Sequence, residues 1–259
     1  MTVYRHYLFP AFILFFAVFL AGCAGLSGPN KPRNMDPLEA ANRAIYGFNE
    51  NIDRVVFRPA AEIYRDNLPQ PLQTGVSNFF RNLAEPTTIV NNLLQGKILH
   101  AVNDSARFVI NTSLGVFGLI DIAGSLGLLR HQEDYGQTLA SWGVPAGPYL
   151  VLPLFGPNNL RDALGKLPAF YLTDPLFVIA DEPFLKGGQY GMLHGGFRTL
   201  HAVDLRAQLL PTDRLIRMQL DPYLFVRESY RQRRIDLIRD GQQPEDGLES
   251  FLEDELFDD

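Results

Sequence analysis

Residues 36–55, DPLEAANRAIYGFNENIDRV, decide the fold class. Asp36 is placed to cap a helix, Pro37 suits the first helical position, and Glu39 stands where a capping box would close. Behind them Leu38, Ala41, Ile45, Phe48, Ile52 and Val55 recur every three to four residues and draw one apolar stripe. Asp174-Pro175 and Asp221-Pro222 repeat the start signal. After Pro222 the run to Arg239 holds neither Gly nor Pro, and interleaves Tyr223, Val226, Tyr230 and Leu237 with five arginines. Ile98, Val102, Ala106 and Val109 predict a helix over 97–114. Tyr190, Leu193, Phe197, Leu200, Val203, Ala207 and Leu210 predict another over 189–210. A shorter helix is expected over 71–83, ending near Glu85-Pro86, because the residue before proline is pushed out of the helical region. Strand alternation is weak throughout and no internal repeat is present, so the expected class is all-α.

Two segments depart from ordinary amphipathic helices. Residues 108–129 carry a single charge, Asp121, and four glycines, Gly115, Gly118, Gly124 and Gly127. A membrane-crossing helix needs about 20 apolar residues, but Asn111, Thr112, Ser113, Asp121 and the glycines break this stretch in two, so a bent hairpin is expected. Residues 135–160 carry no charge and hold Pro145, Pro148, Pro153 and Pro157. Prolines at that density forbid a continuous helix. Irregular backbone facing lipid would leave its amides without partners. The segment therefore reads either as a buried loop or as irregular backbone lining a cavity.

Composition narrows the function classes. The 259 residues are 46% hydrophobic and 20% charged, with a net charge of −6, which excludes disorder over the whole length. Nine acidic residues and no Lys or Arg lie between Asp240 and Asp259, leaving the body near neutral. Such a chain lacks the basic footprint of a nucleic-acid binder, so no nucleic-acid partner is expected. In the acidic stretch 241–259, Leu248, Phe251, Leu252 and Leu256 keep helical spacing. It reads either as a solvated tail or as a surface for a basic partner.

The single Cys excludes a disulfide scaffold and a cysteine metal cluster. It closes Leu20-Ala21-Gly22-Cys23, after a polar start at Arg5-His6 and the uncharged run 7–19. This is a secretory signal whose last residues resemble a bacterial lipobox. That resemblance implies cleavage of residues 1–22 and acylation of Cys23, with two or more chains forming a stable anchor. Ala24, where an Asp commonly retains lipoproteins in the inner membrane, favours the outer membrane. Residues 23–35 are expected to form a flexible tether.

No reaction centre emerges. There is no Gly-x-Ser-x-Gly elbow, His-Glu-x-x-His pair or Walker loop. His131, Glu133 and Asp134 form the most metal-like cluster, but three such residues in a turn read more simply as solvated polar groups. No metal, no cofactor and no enzymatic activity are expected. The arginines at 227–239 read as a solvated helix face or as contacts to lipid headgroups.

Many short motifs then occur in one order: Asp36-Pro37-Leu38-Glu39, Asn42-Arg43, Tyr46-x-Phe48-Asn49, Arg58-Pro59, Pro69-Gln70-Pro71, Asn82-Leu83-x-Glu85-Pro86, Leu94-Gln95-Gly96, Arg107-Phe108 and Asn111-Thr112. They continue through Gly118-Leu119-Ile120-Asp121, Tyr135-Gly136-Gln137-Thr138-Leu139, Trp142-Gly143-Val144, Gly147-Pro148-Tyr149, Leu160-Arg161-Asp162 and Asp221-Pro222-Tyr223. Across nearly all of 36–240 the chain resembles the MlaA (VacJ) family of outer-membrane lipoproteins. It departs at Ala40-Ala41, where a Gly-Phe pair is common.

The resemblance implies a ring-like, all-α assembly of amphipathic helices lying in one leaflet of the outer membrane, on the periplasmic side, around a central channel. The Gly-rich hairpin would carry Gly115, Gly118, Asp121 and Gly124 and could hinge, since glycine tolerates many backbone angles. The Pro/Gly-rich segment would lie against protein and channel. The implied activity is removal of mislocalised phospholipids from the outer leaflet and their transfer to a soluble periplasmic lipid carrier, beside a trimeric porin. Ile45, Phe48 and Asn49 match the family's first-helix motif and are candidates for the lipid path. The bland alternative makes Ile45 and Phe48 plain core, with the asparagines at caps or on the surface. A porin-binding structural or virulence-associated lipoprotein without transport would share the same anchor and helices.

Overall fold

The computed structural model describes residues 36–168 and 188–241. The leader, Cys23, the tether, Asp174-Pro175 and the acidic tail after Gly241 lie outside the described residues.

Helix dominates, as the 3.6-residue stripes require. Helix α1 (Glu39–Ile52) runs through a π-helical turn (Asp53–Phe57) into α2 (Arg58–Asn67). Then come α3 (Gln70–Leu94), α4 (Ile98–Ser113), the short α5 (Ile122–Ser125) and α6 (Tyr135–Ser141). A hairpin of β1 (Tyr149–Leu152) and β2 (Gly156–Asn159) leads into α7 (Leu160–Pro168). After it follow α8 (Gly188–Leu209), a 3₁₀ turn (Leu210–Thr212), α9 (Asp213–Arg217) and α10 (Pro222–Ile238). Helices α4, α8 and α10 lie where the apolar spacing placed them. Asp221 caps α10, accepting from the Leu224 amide at 3.2 Å, with Pro222 in the first turn.

Three local expectations fail, each for a physical reason. Asp36 does not form a capping box with Glu39. Helix α1 begins at Glu39 without a side-chain cap. Asp36 is buried, and its carboxylate accepts from the Asn42 amide and the Tyr223 hydroxyl instead. Glu39 pairs with Arg43 at 2.8 Å.

Helix α3 does not stop at Pro86 but continues to Leu94. An internal proline costs a helix about 3 kcal/mol. The turns beyond it are held by tertiary contacts: the Asn92 amide donates to Asp104 of α4 at 2.9 Å, and Asn91 accepts from the Thr138 hydroxyl of α6 at 2.6 Å.

The 135–160 segment is not irregular throughout. Asp134 caps α6 through the Gln137 amide at 2.9 Å. The antiparallel hairpin pairs Tyr149 with Asn159 and Leu152 with Gly156. Proline fits here because one of the four, Pro153, lies between the strands and another, Pro157, lies in a strand paired on one side only.

Burial runs opposite to that of a water-soluble domain. The described apolar core consists of two small clusters. One is Ala61, Ala207 and Leu210; the other is Tyr149, Val151 and Tyr223 with Ile45 packed against it. The largest fully buried side chains are Glu85, Asn42, Asn91, Asn92, Asn158, Thr138, Asp36 and Asp104. Meanwhile Leu99 is 83% exposed, Leu129 74% and Phe117 71%. Buried polar groups beneath large exposed apolar ones are the unusual pairing that calls for an explanation. Among the described residues, no helix is long and apolar enough to cross a membrane.

Candidate functional site

The interior is a set of side-chain networks that hold helices together by hydrogen bonds and charge. The largest joins α3, α4 and the hairpin. On α4, Ala101, Asp104, Arg107 and Asn111 share the buried face. Arg107 donates to the Leu128 carbonyl at 2.5 Å and to Asp121 at 3.0 Å, and its Nε lies 3.9 Å from Glu85 Oε1. Arg130 reaches the same Glu85 oxygen at 3.2 Å. Asp104 accepts from Asn92 and Asn103 and meets the His131 ring at 3.0 Å. His131 in turn stacks on His100, ring centroids 3.9 Å apart.

Burial pushes the Glu85 carboxyl up to about 6, with Asp104 adding to the rise and both arginines opposing it. Burial also disfavours the charge on Asp121. The Gly124 amide, Asn111 and Arg107 outweigh that and hold it below the ordinary carboxylate range.

The hairpin glycines have steric reasons. A side chain at Gly115 would meet the Ile120 carbonyl at 2.2 Å, and one at Gly118 would meet Asn82 at 2.4 Å. Gly118 also has φ +89°. At Gly124 a Cβ would strike the Asp121 carboxylate at 2.5 Å. These three glycines permit close contact. Backbone freedom sits instead at Gly127, with φ +85° and open space around it. Asp121 ties the base of the hairpin to α4 through Arg107 and Asn111. The tip carries exposed Val116 and Phe117, both at positive φ, a strained conformation for a β-branched valine and for a bulky phenylalanine.

The first-helix candidates divide. Ile45 packs against the Tyr149, Val151 and Tyr223 cluster, whereas Phe48 is 50% exposed. Asn49 is engaged with backbone: it donates to the Leu152 carbonyl at 3.0 Å and accepts from the Leu154 amide at 2.8 Å. One heptad earlier, Asn42 does the same with the Tyr149 carbonyl at 3.0 Å and the Val151 amide at 2.8 Å. Two asparagines on one face of α1 thus clip strand β1, satisfying backbone groups that β2 does not reach.

The arginines at 227–239 divide: Arg233 and Arg239 are exposed and Arg231 pairs with Glu228 at 3.0 Å, while Arg227 and Arg234 reach inward. Arg234 is buried, donates to both Asp134 oxygens at 2.6 Å and lies 2.6 Å from Asp162. Arg227 lies 3.7 Å from buried Asp36. The His131, Glu133 and Asp134 triplet is pulled three ways. His131 faces Asp104, Glu133 takes Lys97 at 2.8 Å, and Asp134 takes Arg234.

Sequence reading missed Glu85, Asp104, Arg107 and Arg130. A signal existed: Asp104, Arg107 and Asn111 recur at helical spacing, as do Glu85, Thr88 and Asn92. Counting apolar periodicity marks the other face of each helix.

This is a helical protein with a hydrogen-bonded polar interior and many large apolar side chains exposed, the class whose surface calls for lipid or protein to cover it. A family model described as MlaA lipoprotein matches residues 34–236. The chain is 42% identical over 226 residues to the "Intermembrane phospholipid transport system lipoprotein MlaA" of Shigella flexneri, covering 86% of this chain and 85% of that one. The Escherichia coli (strain K12) protein of the same name is 41% identical over 227 residues, with the same coverage. A solved structure, from work on the structural basis for maintenance of bacterial outer membrane lipid asymmetry, aligns with TM-score 0.66 at 37% identity. It covers 78% of this chain and 98% of that one. The chain belongs to the MlaA lipoprotein family.

Proposed function

We propose that this protein is the lipoprotein of an intermembrane phospholipid transport system and maintains outer-membrane lipid asymmetry. The observation that carries this reading is the inverted burial: Glu85, Asp104 and Arg107 inside, with Leu99, Phe117 and Leu129 outside. A body of this kind places apolar side chains among acyl chains within one leaflet. Its interior offers polar groups to a headgroup that must leave water. The relatives named for phospholipid transport support the reading, and nothing in their names calls for bond-making chemistry.

The finer parts of the proposal concern the ends and the path. Residues 1–22 are removed, Cys23 is acylated, 23–35 tether the body to the membrane on its periplasmic side, 36–240 form the working domain, and 241–259 are a solvated tail. The helices enclose a ring whose central channel passes a phospholipid, with Ile45, Phe48 and Asn49 at its first helix. The hairpin of Gly115, Gly118, Asp121 and Gly124 borders that path. A trimeric porin holds the protein in place, and a soluble periplasmic carrier takes the lipid.

A deletion strain tests the function. Surface-exposed phospholipid is expected to rise and to fall again on complementation. Unchanged surface phospholipid would sink transport and leave a porin-bound structural role. Mass spectrometry of the mature protein is expected to show the N-terminus at Cys23 with acyl chains. A cysteine at position 49 that never crosslinks to a photoactivatable phospholipid would remove Asn49 from the path.

A further inference from the structure

Beneath α3, between the 130–134 segment, α6 and α10, lies a cavity of about 270 Å³. Its wall includes Thr88, Arg130, Glu133, Asp134, Gln137 and, on the apolar side, Leu237. Two features of this wall are unspent. Gln137 is 3% exposed; its amide nitrogen donates to the Gln132 carbonyl at 2.9 Å, but its Oε1 has no partner among the described residues. A buried carbonyl oxygen without a donor carries an uncompensated desolvation penalty, so such an atom marks a place where a donor belongs. Among the described residues Arg130 spends only its Nε, on Glu85, and its two terminal nitrogens carry no bond. A guanidinium fork with both ends open is shaped for a phosphate.

The cavity therefore joins an anion-binding fork to an orphaned acceptor. We propose that it is a headgroup site for a zwitterionic phospholipid bearing a primary ammonium. Arg130 takes the phosphodiester, and Gln137 Oε1 takes an N–H of the ammonium; Glu133 and Asp134, paired with Lys97 and Arg234, line the wall beside it. The acyl chains leave past Leu237. This rests on the phospholipid reading above and adds headgroup selectivity to it. Selectivity follows from donor count. A primary ammonium has three N–H donors and a trimethylammonium has none, so only the first satisfies the Gln137 oxygen.

The test incubates the full-length purified protein, in detergent, with equimolar phosphatidylethanolamine and phosphatidylcholine of identical chains, and reads bound lipid by native mass spectrometry. Wild type is expected to retain the ethanolamine lipid about tenfold over the choline lipid, the worth of one charge-assisted hydrogen bond. Gln137→Met is expected to bring that ratio near one while total bound lipid persists. Arg130→Gln is expected to lower both lipids alike, since both carry the phosphate. A wild-type ratio of one overturns the site, as does an unchanged ratio in a folded Gln137→Met. Should Gln137→Met fail to fold, soluble competitors on wild type decide. Glycerophosphoethanolamine displaces bound lipid and glycerophosphocholine does not; equal displacement overturns the proposal. Uptake of both lipids without preference defeats this site alone, whereas uptake of neither defeats the transport reading with it.

Discussion

Around α3 and α4 the buried contacts are charged: Arg107 joins Glu85 to Asp121, Arg130 reaches the same Glu85, and Asp104 meets His131. At the contact of α1 with β1 they are largely neutral apart from Asp36, with Asn42 and Asn49 bonding to strand backbone and Ile45 packed on Tyr149, Val151 and Tyr223. The difference follows from what each region must pay to bury. The β-hairpin brings backbone amides and carbonyls inside, and a side-chain amide satisfies one of each without carrying charge. The α4 region has its backbone bonded within the helix, so its interior face is free to carry ions. Those ions are stable only as a complete set, because a buried charge deprived of its partner carries the full desolvation penalty.

The strongest way to break the comparison is Arg107→Met. It keeps most of the stem volume but leaves Glu85 short of one cation, Asp121 short of its fork and the Leu128 carbonyl unbonded. A loss of about 4 kcal/mol is expected in urea unfolding of the detergent-solubilised protein. A loss below 1 kcal/mol would show that the charged group is not what joins the hairpin to α4.

Asn42→Ala probes the neutral half. It strips partners from the Tyr149 carbonyl and the Val151 amide, both in a strand whose side chains at those positions are buried. About 3 kcal/mol is expected to be lost. Asn49→Ala removes the matching pair near the exposed loop at Leu154, where water replaces the bonds, and is expected to cost about 1 kcal/mol. Equal costs would contradict the account of the clip as a device for buried backbone.

How much of this was legible in the sequence depends on what each residue answers to. Helix α4 was readable because Ile98, Val102, Ala106 and Val109 respond to local periodicity alone. The same stripe shows that α4 has two faces, but it does not say which face meets protein, and here the apolar one is outermost. Pro86 read as a stop because the local rule is correct. It was overridden by Asn91 and Asn92, whose partners Thr138 and Asp104 lie elsewhere in the chain. The clip by Asn42 and Asn49 was out of reach for a similar reason: its purpose exists only once residues 149–154 have folded against α1. Polar interruptions beside an apolar stripe were visible, and their partners were not.

The charged half also sets a pH signature that the neutral half lacks. The folded-state value of about 6 for Glu85 lies above its ordinary 4.5. The folded protein therefore holds that proton more tightly than the unfolded chain. The resulting stabilisation is full below about pH 4.5 and is lost as pH rises through 6, a change of about 2 kcal/mol. Unfolding free energies measured at pH 4.5 and pH 7 are expected to show it. Glu85→Gln is expected to flatten that interval whatever it does to absolute stability, whereas Asn42→Ala is expected to leave the slope alone. A slope that survives Glu85→Gln would assign the titration to another group.

The smallest expected effect on stability separates inside from outside most cleanly. Leu99 lies on the outward side of α4, 83% exposed, while Ala101 two residues on is 2% exposed. If the exposed leucine faces acyl chains, Leu99→Ser costs the folded protein nothing that packing supplied. Its unfolding free energy in detergent is expected to stay within about 0.5 kcal/mol of wild type. The cost appears only on transfer to a membrane, where a fully buried leucine contributes about 1.5–3 kcal/mol. A protein that begins at residue 24, and so carries neither the leader nor an acyl anchor, is therefore expected to partition to anionic vesicles about tenfold more weakly once Leu99→Ser is added. Unchanged partitioning with unchanged stability would mean that this face of α4 meets neither lipid nor core, and the apolar exterior would then need a protein partner to explain it.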